Sequence, residues 1–456
     1  MSVINTINPA TEEVIASYPL MHKNEVEKII VNMHEAQQSW SHSSIALRIH
    51  CLQNTARLLL KNKTHYATLI THEMGKPIIQ AIGEIEKCAR LCEYYAAEGE
   101  QFLKPELIQT HYHKSYRSFH PLGIIFAIMP WNFPFWQVMR FAVPNLMLGN
   151  AGLLKHAPNS TGTALLIEQL LLEAGFAQGL FRTLVMDVSL APLVIQNQHV
   201  QGVTLTGSNL AGQSVAKEAG ASLKKVVLEL GGSDPYVILE DADIEWAAEQ
   251  CVTSRLSNAG QVCIAAKRII VVEKIKAEFE AMVHEKTKRY LMGDPLDPKT
   301  TLGPMARDDL RLKLHEQVKR SIAGGARCIM GGSLPTTKGY YYPATILQEV
   351  TIDSVAFKEE LFGPVICITT AKNEEHAMQL ANATQFGLAG AIFTRDITKG
   401  EHLARDSLNA GTCAVNTLVS SDPRLPFGGI KQSGYGRELT IEGMREFVNI
   451  KTVVVN

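Results

Sequence analysis

Apolar positions spaced three and four apart run through residues 24–100 with few breakers, which predicts consecutive helices there. From residue 123 the texture changes. Short apolar runs at 123–129, 152–157, 181–186, 202–207 and 225–230 alternate with helical segments at 135–148, 161–174, 189–197 and 209–220. Several of these runs are apolar throughout, as expected of strands in a parallel sheet covered on both faces. The alternation restarts after GGSDP (231–235) with a helix over 241–256, a strand over 268–273, a helix over 276–291 and later strand-like runs ARCIMGG, AGAIFTRD and GTCAVNT. A domain boundary is therefore expected near residue 231. The β-branched tail EFVNIKTVVVN predicts a strand able to pair within the chain or with a second subunit.

Composition narrows the class. With 456 residues, 46% hydrophobic and 20% charged, the chain reads as an ordinary globular protein of two or three domains. A net charge of −1 and the lack of basic runs argue against a nucleic-acid binder. No apolar stretch reaches the roughly 18 residues of a membrane span, and no secretory signal opens the chain. The eight cysteines lack framework or zinc spacing. No metal site and a reducing cytoplasm are the expectations.

Several short stretches carry candidate chemistry. In LTGSNLAGQ (205–213), Gly207, Ser208 and Gly212 lie between a strand and a helix, where backbone amides could receive a phosphate; Ser208 as a plain N-cap is the competing reading. Lys155 ends a strand at the level where open α/β sheets bind ligands. Pro130 and Pro134 stiffen the turn holding Trp131 and Asn132, so the Asn132 amide can point in a set direction. Glu229 ends an apolar strand beside two glycines, where a carboxylate either pairs with a cation or has a raised pKa. NAGQVCIAAKR (258–268) sets Cys263 in a small polar loop.

Taken in order, these stretches resemble the aldehyde dehydrogenase superfamily. The matching motifs are PWNFP (130–134), the Lys155 strand, TGS (206–208), ELGG (229–232), GQVC (260–263), EELFGPV (359–365) and PFGGIKQSGYGRE (426–438). The resemblance implies an α/β fold with a Rossmann-type cofactor domain (1–110 and 121–230), a catalytic domain (231–425) and an oligomerisation arm (111–120 and 440–456), giving a homodimer or homotetramer. It implies that Cys263 is the nucleophile, Asn132 the oxyanion donor and Glu229 the base that activates the hydrolytic water. It assigns Lys155, Trp131, Ser208, Gly207, Gly212, Glu360 and Phe362 to the cofactor. A glutamate that often marks NAD-specific members is replaced by Pro158, so NAD or NADP is expected, with His156 a candidate for favouring the latter.

Arg140 and Ser421 match residues that hold the far carboxylate in succinate-semialdehyde dehydrogenases. A small-molecule ω-carboxylate aldehyde is therefore the expected substrate, with uncharged aldehydes or a non-catalytic role as the alternatives. A second arginine often found in those enzymes is replaced by Ser257, and Arg255 and Arg424 are the candidate substitutes. CoA-acylating relatives generally lack the carboxylate at Glu229, so its presence favours hydrolysis.

Overall fold

The computed structural model describes residues 2–456. The helical start resolves into four helices, Lys23–Ser41, Ile45–Lys61, Lys63–Met74 and Ile78–Phe102. The first packs against a six-stranded sheet of strands Ile124–Met129, Ala151–His156, Phe181–Thr183, Val200–Thr206 and Lys225–Glu229, with the short Gly434–Tyr435 added antiparallel to Lys225–Glu229. The other three pack on helices Trp136–Leu148 and Thr161–Glu173 and on one another. The expected helix over 189–197 is a 3-10 turn, Val188–Leu190, followed by Ala191–Gln196.

Ile124–Met129 lies at the centre, with Ala151–His156 on one side and Val200–Thr206 on the other. The chain winds outward from the centre in one direction, then returns and winds outward in the other. Such a reversal opens a crevice at the carboxyl ends of the two strands that diverge, here just before Pro130 and Gly207. Both sequence-selected turns fall there.

The second sheet has seven strands, with Asp234–Ile238 and Ala266–Val272 near its centre and Thr345–Gln348, Val365–Ala371 and Ala389–Phe393 among its neighbours. Ala266–Val272 is buried on both faces. Ile269 and Val271 join the large apolar cluster shared with the first sheet, while Ile270 and Val272 join a second cluster with Leu314 and Val318 of helix Asp308–Ala323. Alternate side chains of one strand thus fill two cores.

The tail strand Val448–Val455 pairs along its whole length with Lys114–Pro121, which also pairs with Glu106–Leu107. Residues 440–447 are not part of that strand but form a helix, Thr440–Met444, and a 3-10 turn. Leu107, Ile450, Val454 and Val455 are exposed on this small sheet. Among the described residues no helix is long and apolar enough to cross a membrane.

Candidate active site

Cys263 follows a backbone that few sequences tolerate. Asn258, Ala259 and Gly260 are consecutively left-handed, with φ of 51°, 52° and 71°. For Ala259 that conformation costs about 1–2 kcal/mol. At Gly260 a Cβ would stand 2.1 Å from the Gly363 carbonyl oxygen, so only glycine fits. Hydrogen bonds hold the loop in place. The Asn258 amide side chain donates to the Asn132 carbonyl at 2.9 Å, and the Asn258 backbone N–H donates to Gln80 at 2.8 Å. The buried Gln261 side chain donates to Asn258 at 3.1 Å and accepts from Ala306 at 3.0 Å.

The Asn132 side chain donates to the Gln261 carbonyl at 3.0 Å, which joins the PWNFP turn to the cysteine loop. One amide hydrogen fixes the orientation and the second remains to donate elsewhere. The turn is anchored from behind by Glu84 on helix Ile78–Phe102. One oxygen of Glu84 accepts from Phe135 and Trp136, both at 2.9 Å, and the other pairs with buried Lys76.

Electrostatics separate the reacting groups from their ordinary states. Burial pushes the Cys263 thiol up to about 11, opposed first by Lys267 and then by Arg140. Lys267 donates to the Cys263 carbonyl and pairs with Glu360 at 3.0 Å. Glu229 is buried, with one oxygen unpartnered; burial and the neighbouring Glu438 hold its carboxyl well above the usual range. A Cβ at Gly428 would come within 2.9 Å of that unpartnered oxygen, so the PFGG turn closes directly over it.

The cofactor candidates line the crevice at the sheet's reversal. Lys155 is buried at the end of its strand and has no ion-pair partner among the described residues. Ser208 caps helix Asn209–Ala221, accepting from Ala211 at 3.4 Å, and leaves the helix's first amides open. Trp131 and Phe362 meet edge to face with centroids 5.8 Å apart. Glu360 accepts from Gly232 at 3.2 Å. An unpaired lysine, open helix amides and an aromatic pair fit a dinucleotide, whose phosphates need donors and whose ring needs an apolar wall.

The aldehyde dehydrogenase family profile matches residues 1–453. The chain belongs to the aldehyde dehydrogenase family. It is 45% identical over 448 residues to succinate semialdehyde dehydrogenase [NAD(P)+] Sad of Escherichia coli (strain K12), covering 98% of this chain and 97% of that one. It is 43% identical to a probable NADP(+) succinate-semialdehyde dehydrogenase of Synechocystis, covering 99% of each. Among solved structures, succinic semialdehyde dehydrogenase from Streptococcus pyogenes, in complex with NADP+, superposes with a TM-score of 0.97 at 36% identity over 99% of both chains. An NAD-dependent aldehyde dehydrogenase from Sinorhizobium meliloti gives a TM-score of 0.97 at 32% identity, covering 100% of this chain and 91% of that one.

Three expectations change on the geometry of this aldehyde dehydrogenase, those for His156, Arg255 and Arg424. His156 is buried and donates from Nε2 to the Pro134 carbonyl at 3.0 Å, while Nδ1 accepts from Ala157 at 2.8 Å. Burial lowers its pKa to about 4, so it is neutral and offers no cation to a 2′-phosphate. Gly212 also meets a packing demand, because a Cβ there would sit 2.6 Å from the Leu230 side chain. Arg255 is fully buried and spends its guanidinium on the carbonyls of Val365, Gly260 and Leu361. Arg424 is exposed and bound to both oxygens of Asp422 at 2.8 and 2.7 Å. Neither of these arginines replaces the one missing at Ser257.

Arg140 lies at the catalytic end of helix Trp136–Leu148, buried, with its Nε paired to Glu438 and its guanidinium 4.7 Å from the Phe427 ring. Among the described residues no acceptor is bonded to its terminal nitrogens. Ser421 accepts from Lys87 at 2.7 Å. Lys87, Gln261, Lys267, Gly428 and Glu438 escaped the reading of the sequence. Gln261, Lys267, Gly428 and Glu438 all stood inside quoted stretches, Lys267 at the start of strand Ala266–Val272.

Proposed function

We propose that this chain oxidises succinate semialdehyde to succinate with NAD or NADP, Cys263 acting as the nucleophile. The observation that carries the reading is the junction of Asn132 with the Gln261 carbonyl beside Cys263, with the charges of Glu229 and Arg140 acting on the same thiol. The substrate follows from the relatives' names together with Arg140 and Ser421, which are linked through Lys87, bonded to Ser421 and within range of the Arg140 charge.

The Cys263 sulfur, as thiolate, bonds to the aldehyde carbon, and the resulting oxyanion accepts a hydrogen bond from the free Asn132 amide N–H; losing one such donor costs about 3–4 kcal/mol of barrier. A dinucleotide held here would supply the hydride acceptor needed to take the thiohemiacetal to a thioester. Lys155 and Ser208 would hold its adenosine and pyrophosphate ends, Trp131 and Phe362 would flank its path, and Glu360, steadied by Lys267, would take the nicotinamide ribose. Glu229 then removes a proton from water as the water attacks the thioester carbon. Its raised pKa makes it a strong base once ionised. Arg140 holds the far carboxylate by its terminal nitrogens while Glu438 fixes its Nε side.

Pro158, which opens a 3-10 turn, leaves no carboxylate to repel a 2′-phosphate, so both coenzymes are used. The cofactor domain (1–110 and 121–230), the catalytic domain (231–425) and the arm at 111–120 and 440–456 are proposed on the two sheets and on the small exposed one. That exposed apolar edge supports a homo-oligomer. Eight free cysteines support a cytoplasmic location.

The test is a steady-state screen of short aldehydes and their ω-carboxylates with both coenzymes. Succinate semialdehyde is expected to have the highest kcat/KM, and Arg140→Ala to raise its KM far more than that of butanal. Equal effects on both aldehydes would make Arg140 structural.

A further inference from the structure

Lys87 stands on helix Ile78–Phe102, one turn after Glu84, whose carboxylate clamps the first amides of the helix that carries Arg140. Its position relative to Arg140 is therefore fixed through a buried hydrogen-bonded joint. Its ammonium donates to Ser421 at 2.7 Å and lies 4.2 Å from the centre of the Trp136 ring. Among the described residues it has no ion-pair partner. The carboxylates nearby are committed elsewhere: Glu84 to Lys76, Glu86 to Lys63 and Asp422 to Arg424.

The polar groups gathered there are mostly donors. Ser421, while accepting from Lys87, keeps its own hydrogen to donate. The Trp136 indole N–H is buried without an acceptor, and Arg140 is close enough for its charge to act on Lys87. A half-buried cation beside a second cation and unfilled donors is stabilised by an anion, and a planar carboxylate offers several acceptor sites to such a set.

We propose that Lys87 is the second cation of the substrate site, binding the far carboxylate of the semialdehyde together with Ser421 and Arg140 and taking the part of the arginine absent at Ser257. This rests on the ω-carboxylate reading above. Burial and the Arg140 charge push the Lys87 ammonium down to about 8, the mark of a cation short of a counterion. The contact with Trp136 is a cation–π contact that holds the ammonium in place without neutralising it.

The experiment compares kcat/KM for succinate semialdehyde with that for butanal, which has the same chain length and no charge, in the wild type and in Lys87→Met, Lys87→Gln, Lys87→Arg and Arg140→Ala. Lys87→Met and Lys87→Gln should each lower the ratio by roughly tenfold or more, mainly through KM, and Lys87→Arg should restore most of it. Succinate should raise the Tm of the wild type and raise that of Lys87→Gln much less. A ratio changed by less than about threefold in both neutral variants, or equal losses on both aldehydes, would make Lys87 a packing residue. A ratio lost in Arg140→Ala but intact at Lys87 would remove Lys87 alone. A wild type with no preference for the charged aldehyde would overturn both the substrate reading and this proposal.

Discussion

The turn that carries Ser208 and the loop that carries Cys263 are held by different means. Ser208 sits between a regular strand and a regular helix, and its local requirement is a cap. Cys263 follows three left-handed residues that the surroundings force into place through Asn132, Gln80 and Ala306, which lie far apart in the chain. A cofactor can be received by the ends of ordinary elements, because helix amides and strand ends already point into the crevice. A nucleophile needs an orientation that ordinary elements do not supply, and strain stored in its loop is balanced by buried hydrogen bonds. Damage to the turn should therefore stay local, while damage to the loop should reach the chemistry.

The largest expected effect separates chemistry from binding outright. Cys263→Ala should lower aldehyde oxidation by more than about a thousandfold while dinucleotide binding, followed by fluorescence titration, persists. Retained turnover would take the nucleophile's role from Cys263. Next comes Asn132→Ala, which removes both the oxyanion donor and the tie to Gln261. A fall in kcat of roughly a hundredfold to a thousandfold is expected, with the KM for the dinucleotide nearly unchanged. A fall confined to the cofactor KM would place Asn132 on the wrong side of the comparison.

The third effect reads the loop's electrostatics without a substrate. Because burial holds the Cys263 thiol near 11, alkylation of Cys263 by iodoacetamide should rise about tenfold per pH unit between pH 7 and 9 in the free enzyme. Lys267 is the first charge favouring the thiolate, so Lys267→Met should slow labelling at every pH in that window. Peptide mapping identifies the labelled cysteine. A pH-independent rate across the window would mean that the thiolate is already formed at neutral pH. The smallest effect belongs to the turn: Ser208→Ala loses a helix cap worth about 1 kcal/mol and should lower Tm by a few degrees, with a modest rise in the dinucleotide KM. A large fall in kcat would contradict the local character assigned to it.

The same contrast governs what the residues themselves reveal. The central strands of the first sheet were legible because their runs are apolar throughout and end in glycine or proline turns, as at Met129–Pro130 and Thr206–Gly207. Asn132, Glu229 and Cys263 were legible because each lies inside an ordered motif. Lys87 was not, since it lies on an amphipathic helix where a lysine is unremarkable, and its meaning comes from Ser421, 334 residues away. Glu438 likewise gains its role only by meeting Arg140 across the fold. His156 and Arg255 misled for a related reason. Their charge looked available in the chain, and burial neutralises the one while backbone carbonyls consume the other. Strands Thr345–Gln348 and Val365–Ala371 were missed, although Pro343 and Gly363-Pro364 stand just before them, because neither run alternates and their neighbours are supplied by distant segments.

The account's central claim is that Cys263 carries the acyl group and Glu229 drives its release. Rapid quench of Glu229→Gln after mixing with succinate semialdehyde and dinucleotide, followed by peptide mass mapping, tests this most directly. The account predicts a burst of reduced cofactor close to one per site and a succinyl group on the peptide containing Cys263. No acyl group on that peptide, or unimpeded steady turnover without accumulation, would contradict it.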